Sequence, residues 1–74
     1  DHAIYEVPVP KDWIGKSIAK MDVRKKFGIN IIAVTANDGT VTVSPSATRP
    51  FMKGDLVSIV GSDEQVQICL KKFE

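Results

Sequence analysis

Apolar and polar residues alternate at the start of the chain, where Ala3, Tyr5, Val7 and Val9 fall on one face of an extended segment closed by Pro8 and Pro10. Proline cannot donate to a sheet ladder, so this segment reads as an edge strand. Ile14, Ile18 and Met21 then recur at helical spacing and predict a short amphipathic helix from Lys16 to Met21. Asp22 is expected to break it and to cap a second helical turn by accepting a hydrogen bond from the free backbone N–H groups that follow. Gly28 ends that turn, because it can take the left-handed conformation. From Ile29 to about Ala36 the chain is β-branched and apolar on both faces, as a central strand covered on both sides should be.

Asp38-Gly39 lies between two β-rich runs and signals a two-residue hairpin. That loop length sets a register in which Ala36 faces Val41 and Val34 faces Val43. Ile32, Val34, Ala36, Val41 and Val43 would then share one face, with Ile31, Ala33, Thr35, Thr40 and Thr42 on the other. Such a mixed second face suits a partner subunit or a ligand, and equally a half-buried sheet in a single chain. Ser44 to Pro50 carries two prolines, two serines and a threonine and reads as a loop. Lys53-Gly54-Asp55 is a tight turn before a strand from Leu56 to Val60. Ser62 followed by Gln65 forms a capping box, after which Val66, Cys69, Leu70 and Phe73 make one helical stripe. Asp63 and Glu64 begin this helix and Lys71 and Lys72 end it, the favourable sense for its dipole.

The order strand, short helices, hairpin, strand, helix predicts a two-layer α+β domain with a small mixed or antiparallel sheet. With 74 residues, one domain is expected, and it would bury only about 60% of the surface its unfolded chain exposes. The single cysteine excludes an intramolecular disulfide and fits a reducing, intracellular setting. Apolar runs are too short for a membrane span or a signal peptide. A net charge of +1 supplies no global field to attract a nucleic-acid polymer. The abrupt start at Asp1 suggests a fragment of a larger protein.

Catalytic chemistry finds no support in these residues. The one histidine, His2, is terminal, the carboxylates are scattered over caps and turns, and no metal-ligand spacing is present. Gly15-Lys16-Ser17 echoes the end of a phosphate-binding loop, but the earlier glycine that loop requires is missing. Trp13, in the turn Lys11 to Gly15, is better read as a plug for one end of the core than as a ligand shelf. One cluster has candidate recognition chemistry: Arg24, Lys25 and Lys26, which Lys16 and Arg49 could join. Such a cluster is ordinarily a solvated helix face. Here Asn30 can offer a donor and an acceptor to an adenine edge, Ile31 and Pro45 can cover a base, and Arg24 can take a phosphate bidentately.

The run Asp22 to Ile32, preceded by Asp12-Trp13-Ile14-Gly15-Lys16-Ser17-Ile18 and followed by Lys53-Gly54-Asp55-Leu56-Val57, resembles the TrkA-C family. This is the C-terminal subdomain of regulator-of-potassium-conductance (RCK) proteins. The resemblance extends from about Tyr5 to about Leu70 and is nearest to the gating subunits of Ktr-type potassium transporters. It implies that residues 1–74 form one regulatory domain of a cytoplasmic protein held at the inner face of the membrane by a potassium channel or transporter. It further implies a homodimer that binds cyclic di-AMP across its two-fold axis, with no cofactor, metal or catalytic role. The family's ligand positions fall on Ile18, Ala19, Asp22, Val23, Arg24 and Lys25 in the helical segment, on Asn30 and Ile31 at the strand start, and on Pro45 after the hairpin. A cyclic-dinucleotide sensor and a ligand-free dimerisation or ring-assembly module are both open, and sensing of a cation or another metabolite has no clear site here.

Overall fold

The computed structural model describes residues 2–73; the side chain of His2 lies outside the description. In chain order the elements are β1 (His2–Pro8), a single 3-10 turn (Lys11–Trp13), α1 (Ile18–Met21), α2 (Val23–Phe27), β2 (Asn30–Thr35), β3 (Val41–Val43), β4 (Leu56–Ser62) and α3 (Asp63–Lys72). The four strands form one sheet in the order β1-β4-β2-β3. Every pairing is antiparallel. The predicted edge strand is indeed at an edge, and the sheet is antiparallel rather than mixed.

Local chemistry accounts for most boundaries. The Ser17 side chain accepts a hydrogen bond from the Lys20 N–H and starts α1 later than the apolar spacing suggested. Ile14 lies before that cap and instead bridges to Phe51. Gly28 ends α2 at φ 72°, as its position predicts. Ser62 and Gln65 form the predicted capping box at the start of α3.

Inner-face residues of the sheet meet the helices. Val34, Val57 and Ile59 are buried with Met21, Val23, Val66 and Cys69, and Tyr5, Val7 and Ile31 pack around them. Trp13 is fully buried and closes one end of this core, its ring centroid 5.3 Å from Phe51 and 5.7 Å from Phe73. Phe27 meets Phe73 edge-on at 6.0 Å, so the aromatic chain ties the 3-10 turn to α2 and α3.

Two sequence expectations fail in the hairpin. Ala36 N–H donates to Thr40 and Gly39 N–H to Ala36, which makes a three-residue loop of Asn37, Asp38 and Gly39 with Gly39 at φ 90°. Asp38 Oδ1 accepts from the Thr40 N–H at 2.9 Å, which also holds its carboxyl below the usual carboxylate range. The register therefore moves by one residue: Ala33 pairs with Val43, Val34 with Thr42 and Thr35 with Val41. A one-residue slip exchanges faces, so Val41 and Val43 leave the core side. The second correction concerns Ile31 and Ala33. A register shift between them inserts Ile32 as an extra residue, so Ile31 pairs with Ile59 on the core side while Ala33 pairs with Ser58 on the other.

The outer face thus reads in rows across the strands: Ile4, Val60 and Asn30; then Glu6, Ser58, Ala33 and Val43; then Pro8, Leu56, Thr35 and Val41. No helix covers these rows among the described residues, and Ile4 and Val43 are 69% and 73% exposed. Among the described residues, no helix is long and apolar enough to cross a membrane.

Candidate functional site

The nine expected ligand positions occupy three segments that main-chain hydrogen bonds draw together. The first is the elbow between α1 and α2. Asp22 N–H donates to Ile18 and the Asp22 carbonyl accepts from Lys26, so one residue closes α1 and opens α2. Its backbone is left-handed, at φ 48° and ψ 43°, and its side chain makes no capping bond. The expected side-chain cap is therefore replaced by a backbone turn. Buried Met21 and Val23 pin this elbow to the core from either side. That leaves Ala19, Arg24 and Lys25 exposed and Ile18 and Asp22 half-buried.

The second segment begins immediately after Gly28. Asn30 is exposed in the first outer row beside Val60, whereas Ile31 is half-buried on the inner side. The third is the loop after β3, which carries half-buried Pro45. This loop is tied to β2 by Ser44 N–H donating to Ile32 at 2.8 Å, and to α1 by Ala19 N–H donating to Ala47 at 2.9 Å. Elbow, strand start and loop are consequently one connected framework.

A salt bridge fixes the far end of the loop. Asp55 is 1% exposed, accepts from the Met52 N–H at 2.9 Å and pairs with Arg49 Nη1 at 3.1 Å. Arg49 is thereby engaged with Asp55 and does not extend the basic cluster of α2. This pair escaped the sequence reading; the only hint was an Asp immediately after the turn glycine Gly54. Val23 is brought to the elbow but is 2% exposed, so it presents backbone rather than side chain to anything bound there. Cys69 is fully buried, and desolvation pushes its thiol up to about 11, which leaves it protonated and unreactive at neutral pH. No group of three or more His, Cys, Asp and Glu side chains is placed to hold a metal ion among the described residues.

The chain's similarities to known proteins agree with this architecture. A model of the TrkA-C domain matches residues 2–73. The chain belongs to the TrkA-C family. The TrkA-C domain, also called the RCK C domain, is a non-catalytic regulatory domain. This TrkA-C domain is 32% identical over 62 residues to the Ktr system potassium uptake protein C of Bacillus subtilis (strain 168). The match covers 84% of the chain but 28% of that relative, so the chain spans little more than a quarter of its length. Among solved structures it resembles the RCK C domain of the potassium transport protein KtrA in complex with cyclic di-AMP. That match has a TM-score of 0.91 and 29% identity over 97% of this chain and 84% of the other. A second is the RCK C domain dimer of S. agalactiae BusR in complex with cyclic di-AMP, at a TM-score of 0.80 and 30% identity over 96% of this chain and 88% of the other.

Proposed function

We propose that this TrkA-C domain is the ligand-sensing part of a longer cytoplasmic gating subunit, which binds cyclic di-AMP at a homodimer interface and thereby controls a potassium channel or transporter. One observation carries the reading: the fold matches cyclic di-AMP-bound domains over nearly its whole length, with Asn30 and Arg24 exposed on the framework that joins elbow, strand start and loop. Arg24 supplies a fixed cation for a phosphate, Asn30 a paired donor and acceptor for the adenine edge, and Ile18, Ile31 and Pro45 apolar surface for the base. Both polar groups are open to water in one protomer. A second protomer across a two-fold axis would exclude that water, which strengthens the same hydrogen bonds, and would repeat every contact for a ligand of matching symmetry.

The test is calorimetric titration with cyclic di-AMP, with light scattering to follow mass. One ligand per dimer is expected. Arg24→Ala removes a charge-assisted bond from each half of the site, at about 1.5–3 kcal/mol each, and should weaken binding about a hundredfold or more. A second reading, a ligand-free assembly module, draws on the exposed apolar rows of the outer sheet face around Ile4, Val41 and Val43. A dimer that shows neither heat nor a melting shift at saturating cyclic di-AMP would replace the sensor with that module.

A further inference from the structure

Among the described residues, only Asp22 and Ser44 hold a positive φ without being glycine, at 48° and 50°. Both lie on the framework of the candidate site, and strained backbone persists only where its surroundings over-determine it. Ser44 is the stranger of the two. It precedes Pro45, and the residue before a proline is normally pushed into extended conformations, so its left-handed turn runs against two preferences at once. Its side chain offers no compensation: Ser44 is exposed, and its hydroxyl makes no hydrogen bond among the described residues. What holds it is main chain, the 2.8 Å bond from its N–H to the carbonyl of Ile32.

Ile32 is the residue inserted by the irregularity in β2, immediately after Asn30 and Ile31. The bond therefore joins the one displaced peptide of β2 to the one strained residue that follows β3. Pro45 starts one residue beyond this junction, and its ring fixes its own φ. Two residues further on, the Ala47 carbonyl is taken by Ala19 N–H at 2.9 Å. The loop is thus held on either side of Pro45, and the turn at Ser44 decides how the chain leaves the sheet between those two ties.

We propose that Ser44 is a positioning residue, whose left-handed turn against Ile32 sets the gap between Pro45 and the Asn30-Ile31 edge and so the width of a slot for a purine base. The proposal rests on the ligand-binding reading above. It assigns the role to the backbone of Ser44 and none to its hydroxyl, which two crossed substitutions separate. Ser44→Gly removes the hydroxyl and frees the turn. Ser44→Thr keeps a hydroxyl and stiffens the residue against a positive φ.

Titration of the 74-residue chain with cyclic di-AMP should show Ser44→Gly binding at least as tightly as wild type and Ser44→Thr about fivefold or more weakly. Ser44→Asn, which tolerates the left-handed region, should bind within about threefold of wild type. The reverse order, with Gly weakened and Thr retained, would make the hydroxyl a direct contact and overturn the proposal. Equal affinity in all the variants would overturn it too. If Ser44→Thr fails to fold, Ser44→Ala takes its place: it lacks the hydroxyl and disfavours a positive φ, so it should bind more weakly than Ser44→Gly, and equal affinity of those two would overturn the proposal. A wild-type chain that does not bind removes the ligand reading and this proposal together, whereas binding with the wrong order removes only this one.

Discussion

Gly28→Ala tests how the end of α2 is coupled to the start of α3. Gly28 holds φ 72°, where an alanine side chain is strained, at a cost of about 1 kcal/mol. A Cβ at this position would also stand 2.5 Å from Gln65 Nε2 and 3.2 Å from Gln65 Cδ. Gln65 cannot move freely, because its Oε1 accepts from the Ser62 hydroxyl at 3.1 Å and from the Ser62 N–H at 3.4 Å. Displacing it opens the capping box, for which about 1 kcal/mol is typical. The substitution should therefore cost about 2 kcal/mol in all, a fall in Tm on the order of 10 °C for a domain of this size. Urea unfolding followed by circular dichroism measures the cost, and repeating it in a Gln65→Ala background separates its two parts. Without the Gln65 side chain to displace, Gly28→Ala should cost only about 1 kcal/mol, leaving a coupling of about 1 kcal/mol between the sites. The same cost in both backgrounds would show that the side chains do not meet. A cost below about 0.5 kcal/mol in the wild-type background would mean that α2 does not end in a left-handed residue.

Arg49→Met strands the carboxylate of Asp55, which is 1% exposed, with the Met52 N–H as its remaining partner, and should destabilise by about 2–3 kcal/mol. Because the Arg49 side chain is 23% exposed, the cost falls below the ~3–5 kcal/mol of a fully buried pair; an unchanged urea midpoint would refute the account. Cys69 is an acid whose folded pKa is raised to about 11 from an ordinary 9.0, so the unfolded chain releases its proton first. Its effect on stability is absent below about pH 9 and destabilising between about 9 and 11. Cys69→Ala should lessen the loss of stability across that window, and parallel pH curves for the two proteins would contradict it. Asn30→Ala should lower affinity for cyclic di-AMP and narrow its margin over cyclic di-GMP; competition between the two ligands reads both effects.

What could be read in the sequence was chemistry confined to a few neighbouring residues. Gly28, the Ser62-Gln65 box and the prolines flanking Val9 each act within one turn, and each behaved as its residue type dictates. The hairpin register was not legible, because Asp38-Gly39 serves a two-residue loop as readily as the last two positions of a three-residue one. Nor was the insertion of Ile32, since a strand apolar on both faces carries no alternation from which a change of phase could be read. Those two features together move Val41 and Val43 to the outer face and Ile31 to the inner, and leave Ala33 on the outer face where it was expected. Asp22 illustrates a different ambiguity: an aspartate between two helical turns can cap with its carboxylate or turn with its backbone, and only the observed φ decides between them. The site positions came from family resemblance. Their assembly depends on main-chain bonds at Ser44 and Ala47, which no side-chain pattern encodes.

Those ties have an evolutionary consequence. The loop after β3 is tethered through peptide groups: Ser44 to Ile32, Ala47 to Ala19, and Phe51 N–H to the Lys16 carbonyl. A peptide bond survives most substitutions, so side chains exposed between these anchors, such as those of Ser46 and Thr48, can be exchanged without releasing the loop. Descendants of this sequence can therefore drift in what the loop offers a bound molecule while inheriting where it offers it. Mutational tolerance should be high at exposed loop positions such as 46 and low at Arg49, whose side chain holds Asp55, and proline should be rejected at positions 19 and 44, where an anchor would lose its N–H.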